Sequence, residues 1–258
     1  MDVAAYLTRI GASHPAAPTS ASLTALHRAH VRSVPFEDYD VHTGVAISLD
    51  PAALERKIVQ RRRGGYCYEL NGLFGLLLRE LGFAVTFVAA FSLDEDGTRG
   101  PEGDHLRLLV DAVDGNWVAD VGNGARWPEP VPRRPGVHGR VQVRRDGDVW
   151  WTTERRGTGE WERGWAWTPQ PRVLADFAER NRYQQYDPCS DFAGRRLAAL
   201  ATPTGRISLV NGVFAELADG QRTERDVAAD EEWALLADRF GIVLDRPWAE
   251  RVPQLAGC

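Results

Sequence analysis

Hydrophobic period changes sharply along this chain near Gly82. Before it, Leu70, Phe74, Leu77, Leu78 and Leu81 fall on one helical stripe, and Gly82 reads as the glycine that stops the helix. After it, residues 83–93, 105–113 and 117–121 are apolar or alternating runs of strand type, with Asp114-Gly115 and Asp146-Gly147 as hairpin signals. Helices followed by a block of strands predict an α+β fold. They exclude a doubly wound parallel sheet, which needs strands and helices in alternation. Upstream, Thr19 or Ser20 can cap a helix through Leu23, Leu26 and Val31. Asp50-Pro51 opens another that reaches Gln60. Downstream, residues 173–186 read as helix, 206–217 as a hairpin about Asn211-Gly212, and 230–240 as an amphipathic helix. The proline-rich stretch 128–135 reads as a surface connection. The tryptophans of the strand block read as barrel packing, with Trp127 also able to stack on an aromatic ligand.

Composition narrows the functions. With 43% hydrophobic and 26% charged residues the chain is globular in type, and its net charge of −5 argues against a broad nucleic-acid face. No apolar run approaches the roughly 18–20 residues of a membrane span, and the first residues lack the pattern of a signal peptide. Cys67, Cys189 and Cys258 include no CxxC pair and no disulfide framework, so the expected setting is a reducing cytoplasm. Cys189, in a turn, and Cys258, at the end, look incidental.

Cys67 follows the Gly64-Gly65 turn and opens the helical stripe. The positive end of a helix favours thiolate over thiol, and Arg61, Arg62 and Arg63 add positive potential. The plainer reading is a small buried hydrophobe at a helix start. A cysteine nucleophile needs a base and a group that orients the base. His14 and His138 fall in loops and His42 in a polar turn. His27 and His30 lie on a polar helix flank and are expected in solvent; with no third ligand in view, no metal site is expected. His105 opens an alternating strand. Asp120 lies inside Trp117-Val118-Ala119-Asp120-Val121-Gly122, where an acid is costly unless paired. A salt bridge to an arginine is its plainer explanation. A two-residue turn at Asp114-Gly115 puts His105 and Asp120 on one face but four residues out of step, about 13 Å. A direct bond then requires a bulge, an earlier turn or another pairing, so periodicity leaves the pair open. GxSxG, GxxxxGK[ST], GxGxxG after a strand, and HExxH are all absent.

Arg63-Gly64-Gly65-Tyr66-Cys67-Tyr68-Glu69-Leu70-Asn71-Gly72 resembles the active-site motif of the arylamine N-acetyltransferase family. His105-Leu106-Arg107-Leu108-Leu109-Val110 and Asp120-Val121-Gly122 resemble its histidine and aspartate motifs. Val34-Pro35-Phe36-Glu37, Ser190-Asp191-Phe192 and Pro203-Thr204-Gly205-Arg206 resemble its terminal segments. The likeness runs in order through most of the chain. It implies an N-terminal helical bundle with the nucleophile (1–82), a central antiparallel β-barrel with histidine and aspartate (83–171), and a C-terminal α/β lid (172–258). It also implies a papain-like Cys67–His105–Asp120 triad working by a ping-pong mechanism: a thioester donor acylates Cys67, and an aromatic amine takes the acyl group. Backbone amides at Cys67 and Tyr68 would hold the oxyanion. Asn71, Gly122, Asn123 and Gly124 would meet substrate, and Phe36 and Phe192 would line the acceptor pocket. No bound cofactor is expected, and the donor would be acetyl-coenzyme A.

Two departures point to another branch. Asn123 stands where the family often has an aromatic residue, and Asp104 where it often has threonine. A carboxylate there would disfavour coenzyme A phosphates. Both suit an amide synthase that closes an ansamycin-type polyketide from an acyl-carrier-protein thioester. A cysteine hydrolase with the same triad is the alternative of another class.

Overall fold

The computed structural model describes residues 1–94, 96–155 and 159–245. The first third is helical: α1 (Val3–Ile10), α2 (Ser20–Ser33), a two-residue strand β1 (Phe36–Glu37), α3 (Tyr39–Thr43), α4 (Pro51–Glu55) and α5 (Cys67–Glu80). Local chemistry sets their starts. Thr19 Oγ1 accepts from Ser22 N–H while Ser22 Oγ accepts from Thr19 N–H, a reciprocal cap on α2. Asp50 Oδ1 accepts from Ala52 and Ala53 N–H, Pro51 opens α4, and a wide turn carries that helix on to Gln60. Gly82, at φ +88°, ends α5 as expected.

The strands follow: β2 (Ala84–Phe91), β3 (His105–Ala112), β4 (Gly115–Ala119), β5 (Val131–Pro132), β6 (Gly136–His138), β7 (Val141–Asp146), β8 (Val149–Arg155) and β9 (Trp161–Trp167). They form one antiparallel sheet of order β5-β4-β3-β2-β9-β8-β7-β6 that curls into a nearly closed barrel. A short 3₁₀ turn and α6 (Ala178–Tyr186) lead into β10 (Leu197–Ala201), β11 (Gly205–Val210), β12 (Val213–Ala218), β13 (Gln221–Asp226) and α7 (Ala229–Leu235). The second sheet has the order β1-β10-β11-β12-β13, so the C-terminal sheet takes its edge strand from the helical third. The fold is α+β, as the order of periods predicts. Among the described residues no helix is long and apolar enough to cross a membrane.

One turn differs from expectation. Ala112 pairs with Gly115, which puts the β3–β4 turn at Val113-Asp114, one residue early. The reason is tertiary: the Asp114 carboxylate accepts from both the N–H and the hydroxyl of Ser20, at the start of α2 (2.6 and 2.7 Å), and Val113 N–H donates to Pro18 O. Anchoring this turn on α2 moves β4 by two residues against β3.

The faces of β3 divide the core. Leu106, Leu108 and Val110 join the helical core with Leu70, Phe74 and Leu77 of α5. Leu109, on the other face, joins Val118, Trp127 and Trp167 inside the barrel. Trp127 is 2% exposed and donates Nε1–H to Glu154 Oε1, so it belongs to the barrel packing and is not free to stack on a ligand. Cys189 is disulfide-bonded rather than incidental. Cys258 lies outside the described residues.

Candidate active site

Cys67 is the first residue of α5 and is 3% exposed. The turn before it is built on charge. Arg63 grips both Glu37 oxygens (2.9 and 3.0 Å) and reaches Asp40 Oδ1 at 2.9 Å. Lys57 Nζ bridges Asp40 and Glu69 at 2.9 and 2.8 Å. Gly64 N–H donates to Glu37 and Tyr66 N–H to Glu69. A Cβ on Gly64 would lie 2.0 Å from Pro35 O, and one on Gly65 2.6 Å from Glu69 Oε2. Both glycines therefore serve close protein packing. Two of the three arginines expected to lend their charge to the thiol are committed elsewhere: Arg63 to Glu37 and Asp40, and Arg61 to Asp245. Burial pushes the Cys67 thiol up, with the Asp120 and Asp104 charges adding to it. The backbone N–H groups of Leu106 and Tyr68 work in the opposite direction.

The two-residue shift of β4 decides where His105 meets Asp120. Extending the register from Leu108↔Ala119 sets Asp120 opposite Arg107, diagonal to His105 on the same face. His105 Nε2–H then donates to Asp120 Oδ2 at 2.8 Å. Three more groups hold this carboxylate. Arg107 Nε–H donates to the same Oδ2 at 2.9 Å, Asn71 Nδ2 donates to Oδ1 at 2.9 Å, and Asp120 N–H donates to His27 Nε2 at 3.3 Å. Burial alone would raise the Asp120 carboxyl, but His105, Arg107 and Asn71 together hold it well below the usual carboxylate range.

A cleft of about 350 Å³ opens on this arrangement, and Cys67, His105, Phe36, Phe192, Gly122, Asn123 and Gly124 all line it. Phe36 and Phe192 face each other with ring centroids 6.2 Å apart. Gly122 is pressed on the start of α5: a Cβ there would lie 2.7 Å from Cys67 Cα. One expected substrate contact lies elsewhere. Asn71 is fully buried and donates to Leu106 O and Asp120 Oδ1 while accepting from Val121 N–H. The Tyr68 hydroxyl donates to Gly103 O, and its ring packs on Tyr66 and Phe177. Asp104 is ion-paired with Arg180, so its charge is compensated.

Two residues of the site, Trp165 and Arg107, escaped the sequence reading. Trp165 stacks on the His105 ring, centroids 4.9 Å apart and planes within 10°. Arg107 sits two residues along β3 from His105, a charged residue on an inward face, which was the available signal. His27 and His30 are fully buried rather than in solvent. Phe74 packs on both rings, and Tyr6 OH bonds His30 Nδ1 at 3.0 Å. Among the described residues no cluster of three or more His, Cys, Asp or Glu could hold a metal.

A buried cysteine at a helix start thus lines one cleft with a histidine that is hydrogen-bonded to an aspartate on the adjoining barrel. A family model described as N-acetyltransferase matches residues 19–249. An arylamine N-acetyltransferase of Mycolicibacterium smegmatis is 34% identical over 256 residues, covering 95% of this chain and 93% of its own. A solved structure of the M. smegmatis arylamine N-acetyltransferase superposes with a TM-score of 0.87 at 32% identity, over 94% of this chain and 92% of that one. The Mycobacterium marinum arylamine N-acetyltransferase in complex with CoA superposes with a TM-score of 0.86 at 29% identity, over 93% of both chains. The chain belongs to the N-acetyltransferase family and is an acyltransferase.

Proposed function

We propose that this enzyme moves an acetyl group from acetyl-coenzyme A through an acyl-Cys67 intermediate to an aromatic amine. The observation that carries the reading is the 2.8 Å hydrogen bond between Asp120 and His105, the histidine that lines one cleft with Cys67. In the first half-reaction Cys67 passes its proton to His105, and Sγ attacks the thioester carbonyl carbon. The bond to the coenzyme A sulfur breaks, and that sulfur leaves with the proton from His105. In the second, the amine nitrogen attacks the acetyl-Cys67 carbonyl and His105 accepts the amine proton. Cys67 sulfur departs and the amide is released. Asp120 engages His105 Nε2, which fixes the tautomer and leaves Nδ1 for proton transfer. Backbone N–H groups at the start of α5 are the donors we assign to the oxyanion, and the facing rings of Phe36 and Phe192 suit an aromatic acceptor.

Support for a coenzyme A donor comes from the M. marinum relative in complex with CoA. The Arg180–Asp104 ion pair removes the charge argument for a carrier-protein donor, and the amide synthase reading is not carried forward. We also assign the nucleophile to a helical unit (1–82), the histidine and aspartate to a barrel unit (83–171) and the cover to an α/β unit (172–258). Separate apolar clusters in the barrel and the C-terminal sheet support that division. The test is the intact mass after mixing with acetyl-coenzyme A, beside Cys67→Ala. One acetyl adduct, lost in the variant, is expected. An adduct that persists in Cys67→Ala would refute the nucleophile. No adduct on wild type, with Cys67 still alkylated by iodoacetamide, would refute the donor.

A further inference from the structure

Arg107 is fully buried in the middle of β3, on the barrel face. A guanidinium there is costly unless its charge and donors are used. Its Nε–H shares Asp120 Oδ2 with His105 Nε2 (2.9 and 2.8 Å). Its Nη1 donates to Thr152 Oγ1 at 3.2 Å and to Trp165 O at 3.3 Å. Its plane lies over Trp127 and Trp167, 4.6 and 5.2 Å from the ring centroids. Trp165 is the residue stacked on His105. One side chain thus holds both neighbours of the imidazole: the carboxylate at its edge and the tryptophan on its face.

We propose that Arg107 is a positioning residue that aligns His105 from both sides, through the Asp120 carboxylate it shares with His105 and through the Trp165 backbone behind the stacked ring. The proposal rests on the acyl-Cys67 reading above. Other charged or titratable groups face the same point. His27 of α2 accepts from Asp120 N–H, and burial holds its imidazole down to about 4, so it is neutral near pH 7. Asp104, just before β3, is offset by Arg180 of α6. Glu154 of β8 takes the Trp127 N–H, and Arg126, Asp191 and Arg195 line the outer cleft. Among the described residues Arg107 is the one Lys or Arg hydrogen-bonded to Asp120. Without it the carboxylate acts on His105 at full charge, protonation becomes easier, and the couple holds its extra proton to higher pH.

The test is the pH dependence of Cys67 alkylation by iodoacetamide, and of kcat/KM for amine acetylation, in Arg107→Met and Arg107→Lys. Arg107→Met should move the acid limb of both profiles up by about one to two pH units. Arg107→Lys keeps a charge but loses the planar fork that reaches Trp165 O. It should leave the limb within about half a unit while kcat falls roughly tenfold. A folded Arg107→Met with wild-type limbs would make Arg107 a barrel filler only. Should Arg107→Met not fold, wild-type kcat in Arg107→Lys would overturn the proposal equally. Alkylation needs no donor, so it reads the couple even if wild type forms no adduct with acetyl-coenzyme A, the result that would instead sink the underlying reading.

Discussion

Asp120 is the residue on which the site converges. One oxygen serves His105 and Arg107, the other serves Asn71, and the backbone N–H is held by His27. An asparagine fits this pattern badly. Its amide NH2 must face either the two donors at Oδ2 or the Asn71 amide, and a buried donor facing a donor is costly. Asp120→Asn should therefore lower kcat by about 10³–10⁴, checked by steady-state acetylation of an arylamine; a loss under tenfold would remove Asp120 from the orienting role. The sequence points to Cys67, His105 and Asp120 because each breaks a local pattern: a thiol after paired glycines, a histidine opening a strand, an acid in an apolar run. Asn71 breaks no such pattern, and Arg107 breaks one only once its strand face is known to point inward. Their roles depend on which side chains face them across the barrel and helix.

At the scale of elements, glycines mark where backbones touch. Gly122 presses on Cys67 Cα, where a Cβ would sit at 2.7 Å, so the strand end and the helix start must part to admit a methyl. Gly122→Ala should cut kcat/KM by about 10²-fold by displacing Cys67 against His105, with cooperative melting retained. Kinetics beside thermal unfolding distinguish this from global damage, and an active Gly122→Ala would show that the contact yields freely. The helix starts were legible because caps are local: Thr19 with Ser22, and Asp50 with Pro51. The β3–β4 turn was not, because Asp114 is held by Ser20 on another element. A turn rule sees Asp-Gly and centres on it, whereas a carboxylate drawn to a helix N-terminus moves the turn by one residue.

Across the whole molecule, buried histidines couple stability to pH. Burial holds His27 down to about 4 and His30 well below its ordinary value. The unfolded chain then binds protons that the folded chain refuses, so this stability is complete above about pH 6.5 and is lost as pH falls towards 4. Burial acts oppositely on two acids, raising Asp38 to about 6 and Glu69 to about 7, so they favour the folded state over the same interval. The His27 contribution is isolated by difference. The stability gap between wild type and His27→Gln should shrink by up to about 3 kcal/mol between pH 7.5 and pH 4, measured by urea unfolding at each pH. A gap that stays constant would mean His27 titrates alike in the folded and unfolded chain.

By itself the sequence determined the class of fold, the helix starts, the order of the three candidate residues and the family likeness. These are legible because caps, hydrophobic period and motifs are properties of neighbouring residues. Tertiary structure decided the geometry. The expected hairpin left His105 and Asp120 four residues out of step, and the Ser20–Asp114 contact halved that offset to a diagonal pair. It also buried His27 and His30, which looked solvated on a helix read alone, and made Arg107 a partner of Asp120. The physical reason is common to all three. Hydrogen bonds and burial between elements distant in sequence set register and environment, and in an antiparallel hairpin a turn moved by one residue changes each partner by two, a shift that the side-chain period of two keeps on the same face.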